Sequence, residues 1–242
     1  MVNVLIVYAH PEPQSFTHAL KEKAVQTLLK AGHKVEVSDL YFDHFNPVAG
    51  RHDFKLQGDP SKFHYQSEQL YASEHDHFSD DIAREQEKLL NLDLCILVFP
   101  LWWGGMPAIL KGWFDRVLAY GVAYSDGQRF SKGYFKKRRG IIALTTGGTK
   151  QRFSTDDVYG SIDKILYPIN RCMLEYMGLD VYDPFIAYAS PRVSLEERLN
   201  YLKQWEHQIT NIANDVAWHE ELKIVPTLKE LSQKFNNSNW NQ

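Results

Sequence analysis

Cys95-Ile-Leu-Val-Phe-Pro-Leu-Trp-Trp-Gly-Gly-Met-Pro107 is the most informative stretch of this sequence. It begins inside an apolar run, residues 92 to 99, that lacks polar alternation and is therefore typical of a strand buried on both faces of a parallel sheet. A helix is predicted from Pro107, so two tryptophans and two glycines follow the carboxyl end of that strand. Ligands bind beyond such ends in open parallel sheets. We expect a flat aromatic ligand against Trp102 and Trp103, although the same pair could simply fill a core.

A second loop is expected at the same edge, after the apolar run of residues 2 to 9. Two prolines delay the next helix, and Ser15 or Thr17 can cap it. The unpaired N–H groups of that helix start would face an anion, for which a diphosphate is the obvious candidate, with His10 as a further donor. Taken alone, the two hydroxyls could be ordinary caps and His10 could merely end a strand.

A third loop, Thr145-Thr-Gly-Gly-Thr-Lys150, follows the apolar run of residues 139 to 144. Gly147 and Gly148 are expected to adopt backbone conformations that place consecutive N–H groups around one acceptor, with threonine hydroxyls adding donors. Alone, this segment could be a simple turn. Three such loops at one sheet edge predict a ligand crevice.

Apolar runs alternate with helical patterns along the chain, which predicts an α/β fold with a doubly wound, five-stranded parallel sheet and helices on both faces. We expect strands at about residues 2–9, 34–38, 92–99, 139–145 and 180–187, and helices at 15–31, 79–91, 107–120, 156–177 and 194–217. One domain is expected over residues 1 to 218, followed by a C-terminal tail over 219 to 242 with a possible short helix at 222–235.

Residues 41 to 78 do not fit the strand–helix repeat and are too long for a simple connector. The part from residue 43 to 59 contains Pro47, Gly50 and Gly58 and is typical of an extended excursion. We expect this segment to pack against a neighbouring subunit or to cover the ligand.

The chain has 242 residues and a formal net charge of −3, so no broad basic field would attract nucleic acid or an anionic membrane. No run of about eighteen apolar residues and no secretory signal pattern is present. Cys95 and Cys172 are interpreted as buried thiols rather than as a disulfide, which indicates a reducing compartment. A soluble, cytoplasmic protein is therefore expected.

Several kinds of chemistry are disfavoured by the motifs that are missing. There are ten histidines, but the pair in His75-Asp-His77 has no further ligands at metal-binding spacing, so no metal site is expected. The sequence contains no Gly-x-Ser-x-Gly elbow, no phosphate-binding Gly-x-x-x-x-Gly-Lys-Ser/Thr loop and no Gly-x-Gly-x-x-Gly after the first strand. Aromatic walls, backbone donors and an anion pocket remain, and together they predict a bound flavin.

Seven phrases of the sequence form a highly specific set: Leu5-Ile-Val-Tyr-Ala-His10, Ser15-Phe16, Ser38-Asp-Leu-Tyr41, Phe45-Asn-Pro47, Phe99-Pro-Leu101, Pro107-Ala-Ile-Leu-Lys-Gly-Trp-Phe114 and Thr145-Thr-Gly-Gly148. With them the chain resembles, over roughly residues 3 to 218, the flavin-dependent NAD(P)H:quinone oxidoreductases, the DT-diaphorase family. The resemblance implies a flavodoxin-like homodimer with FAD at each subunit interface. The excursion after residue 40 resembles the family's dimer-forming segment.

The resemblance also implies a role for particular residues. The diphosphate end of FAD would be held by His10, Ser15, Phe16 and Thr17. The isoalloxazine would be lined by Leu101, Trp102, Trp103 and Gly104. Its pyrimidine edge, where negative charge accumulates on reduction, would be addressed by Thr145, Thr146, Gly147 and Gly148. Arg198 matches a residue near the adenosine, while the nicotinamide and quinone site would be walled by Trp103 and, from the other subunit, by Tyr124 and Tyr176. Tyr124 and Tyr176 could instead pack at a dimer interface without touching substrate.

Four positions depart from the family pattern. Phe153 and Tyr159 stand where the best-known members carry a tyrosine and a histidine that are proposed to relieve charge on the reduced flavin. Phe153 has no hydroxyl, so Tyr159 and the backbone amides of Gly147 and Gly148 become the candidate catalytic groups. Gly104 replaces a bulky aromatic, which should widen the pocket. His64 replaces a glutamine, which puts the family's adenine contact there in question.

The function expected from this resemblance is FAD-dependent reduction of a quinone by NADH or NADPH, with two-electron transfer through flavin N5 and ping-pong kinetics. Two alternatives remain open. One is an FMN-dependent azo- or nitroreductase, and the other is a regulatory flavoprotein subunit of a potassium-efflux system. The sequence does not choose between NADH and NADPH.

Overall fold

The computed structural model describes residues 1 to 218, so the tail and the helix expected at 222–235 lie outside the described part. The sheet is entirely parallel, and its strands run in the order β2-β1-β3-β4-β5, with β6 also pairing with β4. Its strands are β1 (Asn3–Tyr8), β2 (Lys34–Asp39), β3 (Leu94–Pro100), β4 (Arg139–Thr145), β5 (Asp180–Val181) and β6 (Phe185–Ala187). Because the chain adds β2 on one side of β1 and β3 on the other, the strand order reverses beside β1. Such a reversal opens a crevice at the carboxyl ends of the strands.

Helices cover both faces of this sheet, as predicted. They are α1 (Phe16–Lys30), α2 (Tyr65–His75), α3 (Asp80–Asn91), α4 (Ala108–Val117), α5 (Ile162–Ile169), α6 (Glu175–Met177) and α7 (Leu195–Trp218). Successive side chains of a strand point to opposite faces, so the central strand β3 feeds two cores. Cys95 and Leu97 pack on the side of α3 and α4, while Ile96 and Val98 pack on the side of α1 and α7.

Two predicted elements are wrong in detail. The strand predicted at 180–187 is divided into β5 and β6, because Pro184 between them has no N–H to donate to the sheet. The helix predicted at 156–177 begins only at α5, where the Ser161 hydroxyl accepts a hydrogen bond from the Asp163 amide at 3.3 Å. Two residues after Pro168 that helix widens into a π-helical turn, Asn170–Leu174, before α6.

The excursion between β2 and α3 is more ordered than its sequence suggests. It contains α2, which was not predicted, and a 3₁₀ turn at Arg51–Asp53. A buried ion pair fixes this segment to α4, since Arg116 donates to the Asp53 carboxylate at 2.8 Å and to Asp81 at 2.8 Å. The Tyr65 hydroxyl donates to Asp53 at 2.5 Å. Because two charges are buried only when they are well paired, this network sets where the segment lies.

The two cysteines differ in environment. Cys95 is buried in β3, and burial raises the pKa of its thiol to about 12. Cys172 is exposed, so the prediction that both thiols are buried is wrong for it. Cys172 lies in the π-helical turn on the exposed side with Arg171, whereas Leu174 is the buried residue of that turn. Neither cysteine forms a disulfide.

Candidate functional site

The loop after β1 leads into α1 through Ser15, whose hydroxyl accepts a hydrogen bond from the His18 amide at 3.1 Å. Ser15 is therefore the N-cap, and Thr17, the other predicted cap, lies inside the first turn and is buried. The amides of Phe16 and Thr17 donate no hydrogen bond to any described residue. These two N–H groups at the positive end of α1 remain free for an anion.

His10 at the start of the same loop has a defined protonation pattern. Its Nδ1 accepts a hydrogen bond from the Glu12 amide at 3.0 Å, so the ring proton of neutral His10 sits on Nε2. Burial lowers the pKa of His10 and keeps the neutral form dominant at neutral pH. His10 can therefore donate one hydrogen bond without carrying a charge.

The tryptophan loop after β3 is a tight two-residue turn. Trp102 and Gly105 exchange backbone hydrogen bonds of 3.0 and 2.9 Å, while Trp103 and Gly104 between them have φ angles of 50° and 71°. Two successive positive φ angles are typical of a type I′ turn, and a tryptophan in the left-handed region is uncommon. Trp103 is fully exposed, with a relative accessibility of 106%. Within the described chain, the amides of Trp103 and Gly104 donate no hydrogen bond.

The turn after β4 forms without a positive φ at Gly147 or Gly148, so a left-handed backbone conformation is not what requires glycine here. Gly148 is instead required by close approach, because a Cβ there would lie 2.9 Å from a ring carbon of Tyr159 and 3.0 Å from one of Phe153. The amides of both glycines have no hydrogen-bond acceptor among residues 1 to 218.

The structure brings these three loops together. The rings of His10 and Trp102 lie 5.8 Å apart, which joins the first loop to the second. The hydroxyls of Thr17 and Thr145 share a hydrogen bond of 2.8 Å, and the Leu101 amide donates to the Thr145 carbonyl at 2.8 Å. Each loop thus presents two adjacent unpaired amides at one sheet edge. Such an arrangement can bind an anion and the polar rim of a flat ring.

The residues that replace the family's tyrosine and histidine lie beside the third loop. Phe153 is buried, and its ring lies 4.9 Å from that of Tyr159 at an interplanar angle of 32°. Tyr159 is half exposed, with a relative accessibility of 48%. It follows that one hydroxyl and one apolar ring occupy this position.

Arg198 lies in the first turn of α7. Its Nε atom is buried and has no hydrogen-bond partner among the described residues. Tyr201, one turn further along α7, packs against Phe16 with ring centroids 6.3 Å apart. An unpaired buried donor is costly, so the Arg198 environment fits an acceptor supplied by a ligand.

Tyr124 and Tyr176 lie in a different place. Their rings meet edge to face at 5.5 Å and line a cleft of about 800 Å³ beside α2 and α4. Arg129 lies over the Tyr176 ring at 5.4 Å, and burial raises the pKa of Tyr124. None of the residues from the three loops lines this cleft. A single chain therefore does not bring the two tyrosines to the crevice.

Three histidines that the sequence analysis singled out, His64, His75 and His77, lie in or beside α2. His64 is the N-cap of α2 and accepts a hydrogen bond from the Ser67 amide at 3.3 Å, which gives it a structural use in this chain. The rings of His75 and His77 stack 5.9 Å apart. Across residues 1 to 218, no group of three or more histidine, cysteine or acidic side chains could hold a metal ion.

Among the helices of the same part, none has the length and apolarity that a membrane span needs.

One residue close to the crevice was not singled out from the sequence. Arg192 follows β6, and its guanidinium donates a hydrogen bond to the Gly147 carbonyl oxygen. No local motif marks it, because the contact joins residues 45 positions apart. Only the tertiary structure reveals this cation beside the third loop.

The reversed strand order and the crevice at its carboxyl edge define an α/β protein of the flavodoxin-like class. A family model described as a flavodoxin-like fold matches residues 2–209. NAD(P)H dehydrogenase [quinone] 1 from Rattus norvegicus is 39% identical over 89% of this chain and 77% of its own length. The chain belongs to the NAD(P)H:quinone oxidoreductase family, as its motifs predicted.

Two further relatives support this assignment. Ribosyldihydronicotinamide dehydrogenase [quinone] from Mus musculus is 40% identical over 90% of this chain and 93% of its own length. The crystal structure of a putative quinone reductase from Klebsiella pneumoniae superposes with a TM-score of 0.84 at 36% identity, covering 88% of this chain and 85% of that one. The similarity extends over nearly the whole described region.

Proposed function

We propose that this protein is an FAD-dependent NAD(P)H:quinone oxidoreductase that reduces quinones by two electrons. The observation that carries the proposal is the meeting of three turns, each with two adjacent unpaired amides, beside the exposed ring of Trp103. When bound, the flavin would take two electrons from NADH or NADPH through N5 and pass them to the acceptor in a second half-reaction. Because donor and acceptor would use one face in turn, ping-pong kinetics are expected.

The first loop would hold the diphosphate. The free amides of Phe16 and Thr17 stand at the positive end of α1, and Ser15 fixes that helix start. His10 would add its Nε2 proton as a neutral donor. This arrangement favours an anion without a lysine or arginine in the loop, which is consistent with the acidic net charge of the chain.

The second and third loops would hold the flavin ring. Trp103 would cover its face, while Leu101, Trp102 and Gly104 would line its edge with apolar surface and backbone amides. Thr145 and Thr146 shape the turn that would face the pyrimidine edge. The amides of Gly147 and Gly148 and the hydroxyl of Tyr159 would donate hydrogen bonds to the negative charge that develops there. These donors are the groups that we propose act in catalysis.

Arg198 supports FAD over FMN. Its buried Nε lacks a partner, and α7 reaches the diphosphate loop through the Tyr201–Phe16 contact. The family resemblance matches Arg198 to a residue near the adenosine, which FAD has and FMN lacks. We therefore propose that the adenosine half of FAD satisfies this donor.

A homodimer would complete the site. Tyr124 and Tyr176 line a cleft that shares no residue with the three loops, so they could wall the quinone and nicotinamide only from a second subunit. The exposed Phe42 and Val48 lie in the excursion that Arg116 fixes to α4, and they offer apolar surface to such a partner. The unpaired thiols fit a reducing compartment, and we propose the cytoplasm.

A spectrum of the purified protein before and after anaerobic NADH or NADPH tests the proposal. Yellow protein that bleaches with the nicotinamide and recovers with a quinone supports it. Extraction followed by chromatography separates FAD from FMN, and FMN with preferred azo or nitro acceptors would support the reductase alternative. Co-purification with a membrane transporter and negligible quinone turnover would support the regulatory alternative.

Trp103→Ala tests the stacking surface separately. Loss of one aromatic stacking contact costs about 1 kcal/mol, so flavin affinity should fall about fivefold. Leu29→Ala on α1 is the matched control, because it also removes an exposed apolar side chain but lies at the far end of that helix. Equal flavin affinity in the two variants would contradict the assigned role of Trp103.

A further inference from the structure

The segment that carries Arg192 is fastened to the glycine turn. The Ala189 amide donates to the Gly148 carbonyl at 2.8 Å, and the Ser190 amide donates to the Thr146 carbonyl at 3.1 Å. The Arg192 amide in turn donates to the Ala189 carbonyl at 2.7 Å. The backbone under Arg192 is therefore held in a fixed relation to the turn.

The Arg192 side chain reaches back over this turn. Its Nη1 donates to the Gly147 carbonyl oxygen, and a Cβ on Gly147 would lie 3.5 Å from the same nitrogen. Arg192 forms no ion pair with any acidic group of the described chain. An uncompensated cation thus sits on one carbonyl of the third loop.

The peptide unit between Gly147 and Gly148 transmits the effect of the Arg192 charge to the Gly148 N–H. The chain from residue 1 to 218 has no cis peptide bond, so the Gly147 carbonyl and the Gly148 N–H point in opposite directions. A cation on the carbonyl oxygen polarises the amide and makes its N–H a stronger donor. The Gly148 N–H is one of the unpaired amides of the crevice.

We propose that Arg192 is a positioning residue that strengthens the Gly148 N–H as a donor to the pyrimidine edge of the flavin. The proposal rests on the proposed function, because it requires the flavin at this turn. Reduction increases negative charge at that edge, so a stronger donor binds the reduced cofactor more tightly than the oxidised one. Phe153 has no hydroxyl, so the amides and Tyr159 are the groups that would donate hydrogen bonds to this negative charge.

The midpoint potential of the bound flavin measures this preference directly. Arg192→Gln keeps a hydrogen-bond donor and loses the charge, whereas Arg192→Lys keeps the charge. We expect the glutamine variant to bind oxidised flavin as tightly as wild type and reduced flavin about tenfold more weakly, which lowers a two-electron potential by about 30 mV. The lysine variant should restore most of that difference.

Arg152→Gln is the matched control, since it removes another exposed cation close to the same turn. An unchanged potential in Arg192→Gln, or an equal shift in Arg152→Gln, would overturn the proposal. Equal weakening of oxidised and reduced flavin would also overturn it, because that result indicates a merely structural contact. Wild-type protein that binds no flavin would overturn the proposed function itself, and with it this inference. Far-ultraviolet circular dichroism of each variant verifies that the fold is intact.

Discussion

The rings of Phe153 and Tyr159 pack 4.9 Å apart, and both press against the backbone of Gly148. The two departures noted in the sequence, Phe153 and Tyr159, therefore form an aromatic pair with one hydroxyl. The pair also fills the space that a larger residue at 148 would need. The aromatic packing around Gly148 and the hydrogen bonds that this turn can donate into the crevice therefore involve the same residues. Separate mutations can test each of the two.

Gly148→Ala should disturb the aromatic pair. Its Cβ would lie 2.9 and 3.0 Å from the two rings, so one of them has to move, and overpacking of this kind costs about 1–3 kcal/mol. We expect a lower thermal midpoint together with weaker flavin binding. Gly105→Ala is the control, because nothing lies within 4 Å of its Cβ position and its φ is not left-handed. If the two variants melt at the same temperature, the close approach has no energetic consequence.

Tyr159→Phe should keep the ring contact with Phe153 and remove the hydroxyl alone. A lost donor to developing charge costs about a hundredfold or more in a water-excluded site, but Tyr159 is half exposed, so we expect kcat for quinone reduction to fall about tenfold. The free energy of unfolding should not change. Tyr167→Phe, at another exposed tyrosine on α5, should leave both quantities unaltered. Full activity of Tyr159→Phe would leave the amides as the only donors at this edge.

The fold was predictable because its central strands carry an unambiguous pattern. The runs that became β1, β3 and β4 are apolar on both faces, and parallel strands necessarily gather their carboxyl ends at one edge. The three loops were therefore expected to meet, and the contacts among His10, Trp102 and Thr145 follow from that topology.

Other features depend on tertiary contacts that no local pattern records. The segment that forms α2 has no continuous apolar stripe, and tertiary contacts hold it, since Tyr65 donates to Asp53 and Ala72 packs in a buried cluster with Phe54 and Phe78. Positive φ falls on Trp103 rather than on Gly147, since the tight turn and not the residue type sets the backbone there. Arg192 was missed for the same reason, because its partner is distant in sequence.

Arg116→Met should unfold the excursion before the rest of the protein. Removing the cation leaves Asp53 buried without its main partner, which costs about 3–5 kcal/mol. We expect a large loss of stability in urea unfolding and a shift toward monomer in sedimentation. Lys111→Met on the same helix breaks the exposed pair with Asp115 and should cost at most about 0.5 kcal/mol. Similar losses in both variants would argue against the buried network as the anchor.

His10 makes the stability of the flavin-free protein depend on pH. Burial lowers the pKa of His10 in the folded state, so the unfolded chain binds more protons as the pH falls below the unfolded pKa of about 6.5. The stability that the neutral His10 ring contributes to the folded state is therefore fully present above a pH of about 6.5 and is lost as the pH falls below it. His10→Asn should therefore lose less stability than wild type between about pH 7 and pH 5, as urea unfolding would measure.

A comparison with His33 separates stability from binding. Burial also lowers the pKa of His33, so His33→Asn should reduce acid sensitivity in the same direction. Only His10→Asn should weaken flavin binding, because His33 lies before β2 at the opposite end of the strands. Acid sensitivity identical to wild type in His10→Asn would mean that this imidazole titrates alike in both states.

Mixed dimers test whether two chains share one site. Trp103 would come from one subunit and Tyr124 from the other, so Trp103→Ala and Tyr124→Ala homodimers should both be impaired. A mixed dimer places both defects in one site and leaves the other intact. Random mixing of equal amounts makes half of the dimers mixed, so activity should recover to about one quarter of wild type. Activity of the mixture that equals the mean of the two homodimers would show that each chain works alone, and the cleft of Tyr124 would then need a different explanation.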